Sequence, residues 1–242
     1  MPSKLIPLTL IFLLAVAHSV VAENLPKIRP ALIGSGPGSL VNLIDTEALF
    51  RQGQRDAWVM FEIAVADDGV VFGSDFYTSS PDSRLLKNEV RRRLRHTKFI
   101  PAVHNHKRTA AWFAGTVVFV VAEGRPRLRI YANQELDEIA RGSDFVAPQL
   151  IYVRNRNIMD FPKLPTKATR DDAAGVVKVR HSVDANGKTT NVQVISEPQG
   201  YEVGDYLKKV LPLVDFLPGY RNGRPTASTY THTWWFGRTV GW

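Results

Sequence analysis

The chain has 242 residues, a formal net charge of +8 at pH 7 and no cysteine. Without cysteine there is no disulfide, no thiol nucleophile and no lipid attached through sulfur, so stability has to come from packing. The positive balance favours anionic surfaces or acidic partners and says little about fold.

Lys4 precedes an apolar run from Leu5 to Ala17 and then the small residues Val20-Val21-Ala22, the arrangement of an export signal. Residues 1–22 are expected to be a signal peptide cleaved after Ala22, leaving an exported, periplasmic chain. The alternative is an N-terminal anchor kept in the inner membrane, although about 13 apolar residues fall short of the roughly 20 that a spanning helix needs. Trp112 to Ala122 is about half that length and contains Gly115 and Thr116, so no integral span is expected after cleavage. Gly34-Ser35-Gly36-Pro37-Gly38 lacks the Lys-Ser/Thr of a phosphate loop and reads as a flexible N-terminal segment.

Trp58 to Val65 reads as a strand, Asp67-Asp68-Gly69 as a hairpin turn with a positive-φ position, and Val70 to Tyr77 as the returning strand. Ser80-Pro81-Asp82 predicts a helix start, followed by Leu85, Leu86, Val90 and Leu94 at helical spacing. Phe113, Gly115, Val117 and Phe119 alternate along a further strand. Val120 to Ala132 predicts one more strand, interrupted by Gly124 and Pro126, and Asn133 to Arg141 a short helix. Gly142 to Ala174, with Pro148, Pro162 and Pro165, reads as a boundary. Beyond it the same order returns. Val176 to Val183, Ala185-Asn186-Gly187 and Thr189 to Ile195 predict a hairpin, and Val203, Leu207, Val210 and Leu211 a helix that Pro212 ends or kinks. Tyr230, His232, Trp234 and Phe236 lie on one face of a last strand.

The two series align as an internal repeat. Phe99 to Phe119 falls without a gap on Phe216 to Phe236, from residue 99 to residue 216, a constant offset of 117. Phe99, Pro101, Asn105, Thr109, Ala110, Thr116 and Phe119 meet identical residues at Phe216, Pro218, Asn222, Thr226, Ala227, Thr233 and Phe236. Upstream, Val65 to Gly69 falls on Val183 to Gly187. The expected fold is α+β, in two units of about three antiparallel strands, each covered by one main helix. The first unit is expected over residues 23–145, with an N-terminal extension, and the second over 146–242.

Phe161-Pro162, Ala168, Gly175-Val176-Val177-Lys178-Val179, Val183, Gly187, Val192, Val194, Ser196, Phe216-Leu217-Pro218 and Asn222-Gly223-Arg224-Pro225 together resemble the TonB C-terminal domain. Val59, Phe61, Ile63, Val65, Gly69, Ser79-Ser80, Glu89 to Leu94 and Phe99-Ile100-Pro101-Ala102 repeat much of that order in the first unit. The resemblance implies a tandem of such domains that binds a periplasmic or outer-membrane protein segment along an exposed last strand, accessory to TonB-type transport or envelope organisation. An open edge offers unpaired backbone donors and acceptors to an incoming strand. The partner-binding candidates are Thr229, Thr231, Thr233 and Trp235 in the second unit, with Trp112 and Thr116 in the first. The same edges can also be closed by a homodimer.

The other reading is a cell-wall or anionic-lipid binding module that uses the basic helix face of Arg91, Arg92, Arg93 and Arg95. Export argues against nucleic acid as a partner. His104 and His106 flank Asn105 in a turn with no third ligand beside them, so no metal is expected, and no cofactor either. Asp67-Asp68-Gly69 and Asp171-Asp172 lack the twelve-residue calcium loop. Ser79-Ser80 and Ser35 have no nucleophile-elbow context. With no catalytic constellation in the sequence, the chain is not expected to be an enzyme.

Overall fold

Two β-hairpins, closed by turns of the same geometry, organise the chain. The computed structural model describes residues 24–152, 167 and 174–236, with the backbone alone at Tyr77, Trp235 and Phe236. The expected signal peptide, its alternative as an anchor, Phe161-Pro162, Ala168, Asp171-Asp172 and Trp242 lie outside the described residues. Among the described residues no helix is long and apolar enough to cross a membrane.

In chain order the first part contains β1 (Ile28–Arg29), α1 (Leu40–Leu43), α2 (Thr46–Arg51), β2 (Ala57–Val65), β3 (Val71–Ser79), α3 (Arg84–Leu94), β4 (Ala102–His104), β5 (Lys107–Ala122), β6 (Arg125–Tyr131) and α4 (Leu136–Ala140). The inward alternation Val59, Phe61, Ile63, Val65 on β2 meets Phe113, Val117 and Phe119 of β5, and Leu86, Val90 and Leu94 of α3 close that core. Gly34 to Gly38, expected to be flexible, is instead a folded turn. Asn42 Nδ2 donates to the carbonyls of Ser35 and Gly36, and the Lys98 amide donates to Gly38 O.

The expected helix start at Ser80 is also corrected. Ser80 closes the strand end by accepting the Trp58 amide at 3.1 Å, and α3 begins at Arg84. Its orphan amide at Leu86 donates to the Gln54 side chain at 2.9 Å, a cap supplied from far away in sequence.

The first unit is not a three-stranded sheet. β5 runs for 16 residues and pairs with β2 along one edge, while β6 takes much of the other and β4 pairs with Lys107 to Thr109 at its start. Glu123 (φ 52°) and Gly124 (φ 72°) form the tight turn that lets β6 return. Pro126 is tolerated because β6 is an edge strand. Arg125, Arg127 and Arg129 project to solvent from that edge, which discourages further pairing.

The next element, β7 (Gln149–Tyr152), lies where a loop-like boundary was expected. It pairs with β5 through Ala110↔Tyr152 and Ala111↔Ile151, and with β10 (Phe216–Leu217) through Phe216↔Leu150. The result is an eight-stranded sheet with the path β1-β4-β5-β2-β3 and with β6, β7 and β10 attached. Buried Gln149 accepts the Ala31 amide at 2.8 Å and donates to Ala31 O at 2.9 Å. Gln149→Leu strands both backbone groups in the core and is expected to lower stability by about 2 kcal/mol in urea denaturation.

The second part contains β8 (Gly175–Val183), β9 (Thr189–Ser196) and α5 (Val203–Val210), the strand β10 already placed, and β11 (Gly219–Arg221), β12 (Arg224–Thr226) and β13 (Ser228–Phe236). Helix α5 passes into a single 3₁₀ turn, Leu211–Leu213, at Pro212, as the sequence predicted. Val177, Val179 and Val183 of β8 pack with Val203, Leu207, Leu211 and Phe216. The sheet order is β13-β8-β9, with Ser228↔Val183 through Phe236↔Gly175 in register.

Candidate functional site

Strand β13 pairs with β8 along one edge and with no strand along the other among the described residues. The Thr231 amide donates to Glu135 Oε1 rather than to β8. By the alternation of an antiparallel ladder, the backbone groups of Thr229, Thr231, Thr233 and Trp235 therefore face the unpaired edge. Their side chains share the sheet face turned away from α5. Ser182 Oγ lies 3.0 Å from Thr229 Oγ1, and Arg180 Nε donates to Thr231 Oγ1 at 3.4 Å.

Beside that edge runs a groove of about 540 Å³. Trp58, Met60 and Thr78 come from the first hairpin, Gln134 to Asp137 from the segment entering α4, and Val176, Lys178, Thr231 and Thr233 from the second sheet. Asn133, fully buried, holds the entering segment: its Nδ2 donates to Phe145 O at 3.1 Å, and its carbonyl accepts from Thr116 Oγ1 at 2.8 Å. Gln134 Nε2 donates to Phe61 O at 2.9 Å. The expected helix over Asn133–Arg141 is shorter at its start because these side chains are committed to the core. Further along, Glu138 pairs with Arg221 at 2.8 Å, and Val146 and Tyr220 exchange backbone hydrogen bonds.

The other face of β13 is closed. His181 Nε2 and His232 Nδ1 stand 2.8 Å apart, so one ring donates and the other accepts. Phe216 packs on both rings and Tyr230 meets His232 edge-on at 4.9 Å. Burial pushes His181 down to about 4, and burial together with His181 pushes His232 well below its ordinary value. In the first hairpin, Glu62 of β2 lies opposite Asp75 of β3. Burial and that neighbouring carboxylate push Glu62 up to about 8, although part of its side chain still reaches solvent. Burial, then Glu135 and Glu62, raise Tyr230 well above the usual phenol range.

The first-unit candidates do not lie on an open edge. Thr116 is buried, paired with Met60 on one side and Tyr131 on the other. Trp112 packs against the second unit's core and 6.3 Å from the Tyr152 ring. Long-range pairing with β6 covers Thr116, and packing with the core of β8 and α5 covers Trp112. Thr229, Thr231 and Thr233 do come together beside the groove, and Trp235 supplies backbone there while its side chain lies outside the described residues. Of the basic helix face, Arg92 and Arg93 both bind Glu89, Arg91 stacks over Phe76 at 4.9 Å, and Arg95 ends the helix. His106 Nδ1 lies 2.9 Å from Leu25 O, and no group of three or more potential metal ligands occurs among the described residues. Sequence reasoning missed Glu135, Lys178, Trp58, Met60 and the histidine pair as neighbours, since each contact joins distant segments.

The family model for the Gram-negative bacterial TonB protein C-terminal matches residues 161–237, the stretch that holds β8 through β13. No curated protein and no solved structure matches the chain.

Proposed function

We propose that this chain is a periplasmic protein-interaction module that receives an extended segment of an envelope partner by strand addition along β13. It would serve TonB-type outer-membrane transport or envelope organisation, acting by binding rather than catalysis. The observation that carries the reading is the unpaired edge of β13 within the segment matching the TonB C-terminal family. Backbone pairing supplies affinity in such an interaction, and alternate side chains supply choice of partner.

The tandem reading is part of the same proposal: the first unit is a diverged copy whose own edge has been consumed by β6 and β7. Matching turn geometry supports it. Gly69 and Gly187 both have φ 88°, and Asn105-His106 and Asn222-Gly223 are paired positive-φ turns at equivalent places. The basic helix face is the weaker docking surface, because Glu89 engages two of its four arginines.

Thr231→Pro tests the reading. It removes an amide that points to the unpaired edge and leaves the β8 ladder and the core in place. Capture of a defined transporter or envelope protein by the wild type is expected to fall at least about tenfold in a variant with unchanged circular dichroism. Unchanged capture that disappears on replacing Arg91, Arg92 and Arg93 would transfer the function to the helix face.

A further inference from the structure

We propose that the peptide site is a composite groove gated by the first unit. Glu135 occupies the Thr231 amide in place of a partner carbonyl, and the ligand that displaces it is an extended peptide with apolar side chains at alternate positions. The inference rests on the strand-addition reading.

The acceptor on the Thr231 amide belongs to no strand. It is a side-chain carboxylate delivered across 96 positions of sequence. Its backbone is pinned by the buried Asn133 and by Gln134 on Phe61 O, so the gate opens when one side chain swings away, with the sheet unmoved. A carboxylate accepting from a backbone N–H makes a stronger bond than a carbonyl does. The resting contact therefore competes directly with the incoming strand.

The walls indicate what the strand carries. Trp58, Met60 and Val176 line the groove together with Thr231 and Thr233. Side chains of a strand lying against β13 alternate between two faces, so every second one meets that apolar wall. Leu136, 65% exposed at the rim, extends the wall.

The probe is a fluorescein-labelled heptapeptide alternating valine and threonine between terminal lysines, titrated into the full chain and followed by anisotropy. Glu135→Ala is expected to bind it about tenfold or more tighter than wild type, on the scale of one charge-assisted hydrogen bond, and Glu135→Gln to fall between. Amide exchange at Thr231 should accelerate in Glu135→Ala while Thr229 and Thr233 hold their rates. Adding Thr231→Pro should abolish the gain. Equal or weaker binding by Glu135→Ala, with Thr231→Pro still destructive, overturns the gate and leaves strand addition standing. Binding indifferent to Thr231→Pro in every background overturns strand addition itself. No binding by any form with intact circular dichroism also overturns the gate, since a freed amide would then have opened nothing.

Discussion

Replacing Gly187 by alanine is expected to cost about 3–5 kcal/mol, read as a lower urea midpoint with unchanged slope. Two effects add. The residue sits at φ 88°, where a side chain is strained by about 1–3 kcal/mol. A Cβ there would also stand 1.9 Å from Phe216 O, which must move. That carbonyl is not free to yield, because the Phe216 amide donates to Gly187 O at 3.3 Å and the Phe216 ring is buried beneath the second sheet. Gly223 separates the two effects: its φ is 74° but nothing lies within 4 Å of an added Cβ, so Gly223→Ala should cost only about 1 kcal/mol. Gly69→Ala should resemble Gly187→Ala, since its Cβ would stand 2.1 Å from Phe99 O. A loss below about 1 kcal/mol at Gly187 would show that the turn can relax, and would remove this constraint from both hairpins.

The same glycine contact explains why two shared motifs were legible. A turn glycine pressed against the carbonyl of a Phe-x-Pro segment ties two short motifs together, and both reappear at nearly constant offset. The strands were legible too, because Val59, Phe61, Ile63 and Val65 repeat at period two along β2, although Met60 and Ala64 between them are buried as well. Local reading failed where a distant group decides. The start of α3 depends on Gln54, and the status of the β5 edge depends on β6 and β7. Thr116 and Thr233 are identical residues at equivalent positions, yet one is buried between strands and the other lines a groove. Pairing partners, not residue type, separate them. Glu135 was invisible for the same reason: nothing in Asn133-Gln134-Glu135-Leu136 announces that its carboxylate meets a strand edge in the other unit.

Stability is expected to peak near pH 6.5 and to decline on both sides, for reasons lying in the interface behind β13. His181 has its proton affinity depressed in the folded chain, to about 4 from an ordinary 6.5, and His232 is depressed too, by burial and then by His181. The unfolded chain thus binds protons first, so the stability is full above 6.5 and lost as pH falls from 6.5 towards 4. Each tenfold change in proton affinity is worth about 1.4 kcal/mol, so His181 alone carries about 3 kcal/mol. Glu62 works in the opposite sense. Its folded value is raised from 4.5 to about 8, so its stability is full below 4.5 and is lost as pH rises towards 8. Between 4.5 and 6.5 two histidines outweigh one carboxylate and stability rises with pH; between 6.5 and 8 Glu62 acts alone and stability falls. Urea denaturation at pH 5, 6.5 and 8 measures the curve. Glu62→Gln should abolish the alkaline decline while keeping the acid one, because an amide holds the same space without a proton to lose. A wild-type midpoint that climbs from pH 6.5 to 8 would mean that Glu62 is already ionised in the folded chain, beside Asp75.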